Sequence, residues 1–261
     1  MISRFLARAS AGPMLLDAAM GTRLIASGLD LASDDPCLWN LTRPEVVLDI
    51  HRRDLEAGAE AVTTNTFGAN RSWLARFDRP ESVATINRKA VILARTAPGP
   101  ARFLLGSIGP AAIGASLQEQ ADILLEAGVD ALVLETFKIE QAVQALRLLK
   151  IVEVPILVGL FAWPDPIVAT AHRLIDEGAS IVGANCFADL GLAFRLVDNL
   201  PAPGDGLFWL KPSTGPPDRP LSVADFGSIA ARLASFGTGL LGGCCGTTEV
   251  HLKAIRDVWK N

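Results

Sequence analysis

Eight short apolar runs that alternate strictly with longer amphipathic stretches predict an α/β chain folded as a single (β/α)8 TIM barrel. Two further observations favour that class. The 261 residues are 50% hydrophobic and 20% charged, enough for one sizeable core, and no long linker divides them. No Gly-x-Gly-x-x-Gly follows the first run, which weakens the open doubly wound sheet that remains the competing architecture.

The apolar runs read as parallel strands buried on both faces, because each is short and has little polar alternation. They cover 14–16, 61–64, 103–105, 131–134, 156–160, 181–183, 207–210 and 239–241. Helical patterns follow at 44–57, 80–95, 117–126, 139–150, 166–177, 190–199, 223–235 and 249–259. Pro44 suits the first turn of its helix, and Gly58, Gly128 and Gly178 suit the left-handed residue that ends a helix before a strand. Residues 1–13 read as a short irregular lead-in and 14–261 as the barrel.

Composition narrows the function classes. A net charge of -4, without clustered Lys or Arg, gives no footprint for nucleic acid or an anionic membrane. No run approaches about 20 uncharged apolar residues, so no transmembrane helix is expected. The first 13 residues carry arginines and no acid, a faint transit-peptide character, but lack a secretory apolar region. Four cysteines are too few for a disulfide scaffold, so reduced thiols and a cytoplasmic location are expected.

Functional residues of such barrels lie where strands end. The sixth strand ends in Asn185-Cys186, and the eighth in Gly242-Gly243-Cys244-Cys245-Gly246. Barrel closure would bring Cys186, Cys244 and Cys245 together. Three thiolates at one point repel unless a cation holds them, and Zn²⁺ with three protein ligands and one open position has the form of a catalytic site. The bland alternative is that these are small buried apolar side chains, which is how the lone Cys37 is read. A trithiolate zinc centre is a poor Lewis acid but suits the ionisation of a fourth, substrate thiol. A free thiol is only a few per cent ionised at pH 7, so holding it as thiolate is worth about 2 kcal/mol. The implied chemistry is attack by that thiolate on an electrophilic carbon.

Other strand ends supply Asp17, Asn65-Thr66, Ser107 and Glu135. Asp17 and Glu135 can bracket a substrate ammonium, and groups around Thr66 and Ser107 can bind a carboxylate, which together fit an amino acid bearing a thiol. Each carboxylate also has a plain reading as a strand-end cap or internal salt bridge. His51, His172 and His251 fall inside helices, and the Lys and Arg positions read as solvated helical surface.

The residues Thr64-Asn65-Thr66-Phe67-Gly68, Gly106-Ser107-Ile108-Gly109-Pro110, Leu134-Glu135-Thr136 and Gly242-Gly243-Cys244-Cys245-Gly246-Thr247 resemble the homocysteine S-methyltransferase family, most closely its methionine-synthase type. The resemblance runs from Leu15 to Ile255. It implies zinc on Cys186, Cys244 and Cys245, with L-homocysteine sulfur as fourth ligand and L-methionine as product. It also implies that Asp17 and Glu135 face the substrate ammonium, that Thr66 and Ser107 hold its carboxylate, and that Asn185 supports the neighbouring metal ligand. Two features depart from the family. Ala18-Ala19 stands where Gly-Gly or Gly-Ala is usual, and the loops after the third and fifth strands look trimmed. The methyl donor is therefore left open between a small molecule and a cofactor on a separate carrier protein. Methylation of another thiol, or a binding role beside a separate corrinoid protein, are the alternatives to homocysteine methylation.

Overall fold

The computed structural model describes residues 3–78, 82–97, 103–112, 114–200, 207–216, 220–236 and 239–260. Within them the strands are β1 (Met14–Leu15), β2 (Ala61–Thr63), β3 (Phe103–Ile108), β4 (Ala131–Phe137), β5 (Ile156–Leu160), β6 (Ile181–Asn185), β7 (Phe208–Lys211) and β8 (Leu240–Leu241). Each pairs in parallel with its sequence neighbour, and β1 pairs with β8. The remaining seam, β1 to β2, is closed by a single bridge, Leu16 to Ala61, and by Glu60 N–H donating to Leu15 O at 2.8 Å. This is the (β/α)8 barrel the alternation predicts.

Strands β3, β4 and β6 run further than their apolar runs, through Ser107, Glu135 and Asn185. The reason is that ladder pairing continues after the side chains turn polar: Ser107 is in register with Val133, and Asn185 with Lys211. Ser107, Glu135 and Asn185 are thus fixed to the sheet itself, not to loops.

A helix, α1 (Arg4–Ser10), replaces the irregular lead-in. Ser3 caps it by accepting from Leu6 N–H at 3.1 Å. Phe5 and Ala9, four residues apart and so on one face, enter the interior cluster formed by inward side chains such as Met14, Leu105, Leu157 and Trp209. Phe5 meets Phe103 edge to face with centroids 5.5 Å apart, and Arg8 forms two bonds to Glu60. The helix therefore plugs the amino-terminal end of the barrel. Seven residues are too few for the periodicity to stand out in the sequence.

Trp209 fills the barrel axis, and two glycines make room for it. A Cβ on Gly183 would lie 1.8 Å from Trp209 O, and one on Gly159 would lie 2.5 Å from the indole. The indole Nε1 donates to Val158 O at 3.0 Å, so the buried polar atom is satisfied.

Between β1 and its barrel helix lie two short helices, α2 (Gly21–Ala26) and α3 (Trp39–Thr42), before α4 (Pro44–Ala57). Between β2 and α6 (Val83–Thr96) lies α5 (Arg71–Leu74). The start expected for that barrel helix at Pro80 is outside the described residues. The remaining barrel helices are α7 (Ala115–Glu126), α8 (Ile139–Leu148), α9 (Ile167–Asp176), α10 (Leu190–Asn199), α11 (Val223–Ala234) and α12 (Glu249–Lys260). Gly58, Gly128 and Gly178 do take φ of 110°, 89° and 111° where their helices end. Among the described residues no helix is long and apolar enough to cross a membrane.

His51 on α4 is fully buried, and among the described residues neither ring nitrogen has a partner. Burial lowers its pKa from 6.5 to about 4, so it is neutral in the folded protein. The stability it contributes is present above pH 6.5 and lost as pH falls towards 4. His51→Leu should therefore gain on the wild type by about 1.4 kcal/mol per pH unit across that window. Urea unfolding at stepped pH measures this, and a difference that stays constant with pH would contradict it.

Candidate active site

All nine residues nominated from the sequence line one cavity of about 330 Å³ at the carboxyl ends of the strands. Cys186 leaves β6 in a left-handed conformation, φ 61°, while its N–H still donates to Lys211 O at 3.2 Å. A non-glycine residue held there is strained, and that backbone turn sets the direction of its sulfur. Cys244 and Cys245 follow β8 in a loop held from both sides: Gly243 N–H donates to Asp17 O, and Cys244 N–H to Pro212 O. Gly243 has no room for a Cβ, because Thr247 Oγ1 folds back to 2.2 Å from where it would be. That hydroxyl donates to Cys244 O and accepts from Ala19 N–H, so it ties the cysteine loop to the end of β1.

The three sulfurs lie within 4.8 Å of one another, with Cys186 Sγ and Cys245 Sγ 3.8 Å apart. Zinc–sulfur bonds of about 2.3 Å at tetrahedral angles would put sulfurs about 3.8 Å apart. The donor set therefore fits zinc, and all three sulfur-bearing residues line the cavity. The thiols are unequal. Hydrogen bonds from Cys186 and Cys244 favour ionised Cys245, and those that tie Cys186 to Cys244 and Cys245 push its pKa far above a usual thiol. Several thiolates at once require a cation. Cys37 is buried among Leu74, Ile86 and Val83, in keeping with its apolar reading.

Asp17 extends the β1–β2 seam past the backbone ladder. Its Oδ2 accepts from Thr63 N–H at 2.7 Å, and its Oδ1 from Thr63 Oγ1 at 2.9 Å. The same Oδ1 accepts from Lys211 Nζ at 2.8 Å, in an ion pair whose side chains are 7% and 4% exposed. Burial favours protonated Asp17, but the Lys211 charge and these bonds outweigh it and lower the pKa. Burial likewise works against the Lys211 ammonium, and the charges of Asp17 and Glu135 more than offset it.

Lys211 corrects the reading of every lysine as solvated surface. It ends β7 and is 6% exposed. The signal was available, since the strand-end rule applied to the seventh strand selects it. Glu135 lacks such a pair: burial raises its pKa, and Oε1 accepts from Ser107 Oγ at 2.7 Å.

Asn185 reaches across β5 to the end of β4. Its Oδ1 accepts from Thr136 N–H and its Nδ2 donates to Thr136 Oγ1, both at 2.8 Å. A Cβ on Gly159 would lie 2.5 Å from that Oδ1, so the glycine opens the path. Thr136 itself has φ 65°, next to Glu135. Asn65 and Asn40 bond each other, and Asn65 Nδ2 also donates to Pro36 O, which joins the first two loops. The Thr66 hydroxyl donates to Ser107 O at 2.7 Å and meets Thr64 Oγ1 at 2.6 Å.

Beneath Ala18 and Ala19 lies a second buried ion pair that the sequence did not suggest. Arg23 makes two bonds to Asp54, at 2.8 and 2.6 Å, and is also bonded to Ala19 O through Nε, while Asp54 accepts from Ala18 N–H at 3.4 Å. Neither alanine has positive φ, so the departure from glycine brings no backbone strain. The Ala18 methyl packs into the outer core.

The loops after β3 and β5 are short, with only six residues before α7 and before α9. Those after β1 and β2 carry α2, α3 and α5, so the face is tall on one side and low on the other. Comparison with known proteins identifies the family. The family model for homocysteine S-methyltransferase matches residues 14–259. The chain belongs to the homocysteine S-methyltransferase family. Methionine synthase of Mycobacterium tuberculosis is 29% identical over 93% of this chain and 24% of its own length. Bovine betaine–homocysteine S-methyltransferase 1 is 27% identical over 82% of this chain and 64% of its own length. The chain thus spans about a quarter of the first relative and under two thirds of the second. In fold, it matches the homocysteine methyltransferase MmuM of Escherichia coli, metallated form, with TM-score 0.75 and 23% identity over 97% of this chain and 98% of that one.

Proposed function

We propose that this member of the homocysteine S-methyltransferase family transfers a methyl group to the sulfur of L-homocysteine to give L-methionine. The observation that carries the reading is the convergence of Cys186, Cys244 and Cys245 beside Glu135 in one cavity. Zinc on the three sulfurs would supply the positive charge that keeps a substrate thiol ionised at neutral pH. The chain's own residues do the rest. Glu135, facing the cavity, accepts the substrate ammonium, and Ser107 fixes the orientation of that carboxyl group. Asn185 holds the end of β4, and with it Glu135, at a set distance from Cys186 on the same strand end. The balance of the reaction is one new sulfur–carbon bond, one broken bond between donor and methyl, and the thiol proton released to solvent.

The low side of the face, at the loops after β3 and β5, supports approach of the donor from there. A small donor fits this reading, and so does a methylated cofactor on a separate carrier protein. Free cysteines support the cytoplasm as the working compartment. The test is methionine formation from L-homocysteine with S-methylmethionine, betaine, methylcobalamin and methyltetrahydrofolate supplied separately, against a panel of other thiols. Methionine from at least one donor is the expected result. Methylation of another thiol only would overturn it, and homocysteine binding without turnover of any free donor would favour the carrier.

A further inference from the structure

Lys211 is buried at the cavity wall, and among the described residues its ammonium has one hydrogen bond, to Asp17 Oδ1. An ammonium has three donors, so two are unspent. Burying a charge with unused donors is costly unless something completes its partners. Its charge is felt at Glu135 and Cys244, which line the same cavity.

The hydroxyls nominated for the substrate carboxylate have no proton left to give. Thr66 Oγ1 donates to Ser107 O, and Ser107 Oγ donates to Glu135 Oε1. Thr64 Oγ1, which accepts from Ser107 N–H, directs its own proton to Thr66. Asp17, for its part, is engaged by Thr63 and Lys211 through both oxygens. The cavity therefore presents charges of alternating sign: Asp17 negative, Lys211 positive, Glu135 negative. A zwitterion complements the last two, ammonium on Glu135 and carboxylate on Lys211.

We infer that Lys211 is the specificity-determining residue for the substrate's carboxylate, donating its two free N–H groups to it while Glu135 alone takes the ammonium. This rests on the proposed reading of homocysteine as substrate. It also divides the two carboxylates by role: Asp17 positions Lys211, and only Glu135 meets the ligand.

Binding to the zinc-loaded protein tests it, with L-homocysteine, 3-mercaptopropylamine (which lacks the carboxylate) and 4-mercaptobutanoate (which lacks the ammonium), in calorimetric titrations. Lys211→Met should weaken homocysteine and 4-mercaptobutanoate on the order of 10- to 100-fold, the loss of a charge-assisted hydrogen bond, and leave 3-mercaptopropylamine unweakened. Because Lys211→Met strands the buried Asp17 charge, Asp17→Asn/Lys211→Met is measured beside it. That pair removes both charges and should show the same pattern in a folded protein. Equal weakening of all three thiols in the folded double variant would overturn the inference and leave Lys211 as a countercharge only. A wild-type protein that binds none of the three would instead overturn the homocysteine reading, so the two failures are separable.

Discussion

Cys245→Ala is expected to purify without stoichiometric zinc and to lose measurable affinity for homocysteine, while its unfolding midpoint stays close to that of the wild type. The two halves of this expectation have different causes. Zinc with one open position would take three protein sulfurs here, and the two thiols left in the variant make a poor site at neutral pH, where both must lose a proton to bind. Stability is spared because Cys245 is exposed and its loop is held by backbone bonds, among them Thr214 N–H to Cys245 O at 2.9 Å. Metal analysis of the purified variant, alongside circular dichroism, checks both. Full zinc occupancy in Cys245→Ala would remove it from the ligand set.

Phe5→Ala should cost stability heavily and leave the site intact. Phe5 is 1% exposed and seals the amino-terminal end of the barrel against Phe103. Truncating a buried phenylalanine costs about 3–5 kcal/mol when the cavity cannot collapse, and a barrel interior built on a rigid sheet has little freedom to do so. Urea unfolding reads the loss directly. Metal content and homocysteine affinity of the folded fraction should match the wild type, since α1 lies at the opposite end from the cavity. A loss below about 1 kcal/mol would mean that α1 is an appendage and not a plug.

The parts of the molecule that were legible in the sequence share a physical basis. β5 appears over its expected span because its apolar residues occupy both faces without interruption, and Gly58, Gly128 and Gly178 mark helix ends because their φ demands glycine. The cysteines were legible because thiols at two strand ends have few other uses. What stayed hidden depends on partners distant in sequence. Lys211 is a site residue only because Asp17, 194 positions away, meets it across the closed barrel. Arg23 and Asp54, 31 residues apart, are each ordinary surface types until α2 and α4 pack around the Ala18-Ala19 loop. The engagement of Thr66 by Ser107 O is likewise set by the β2–β3 junction, which no local pattern encodes.

Proton release on substrate binding is the measurement that bears most directly on the role given to the three cysteines. Zinc-loaded protein is titrated with L-homocysteine near pH 7 in buffers of different ionisation enthalpy, and the protons released per ligand bound are counted. A substrate thiol with a pKa of about 8.5 enters largely protonated and should leave its proton in the buffer, close to one per site. The release should disappear with the metal-free protein. Tight homocysteine binding with no proton released would contradict ionisation of the substrate thiol at Cys186, Cys244 and Cys245.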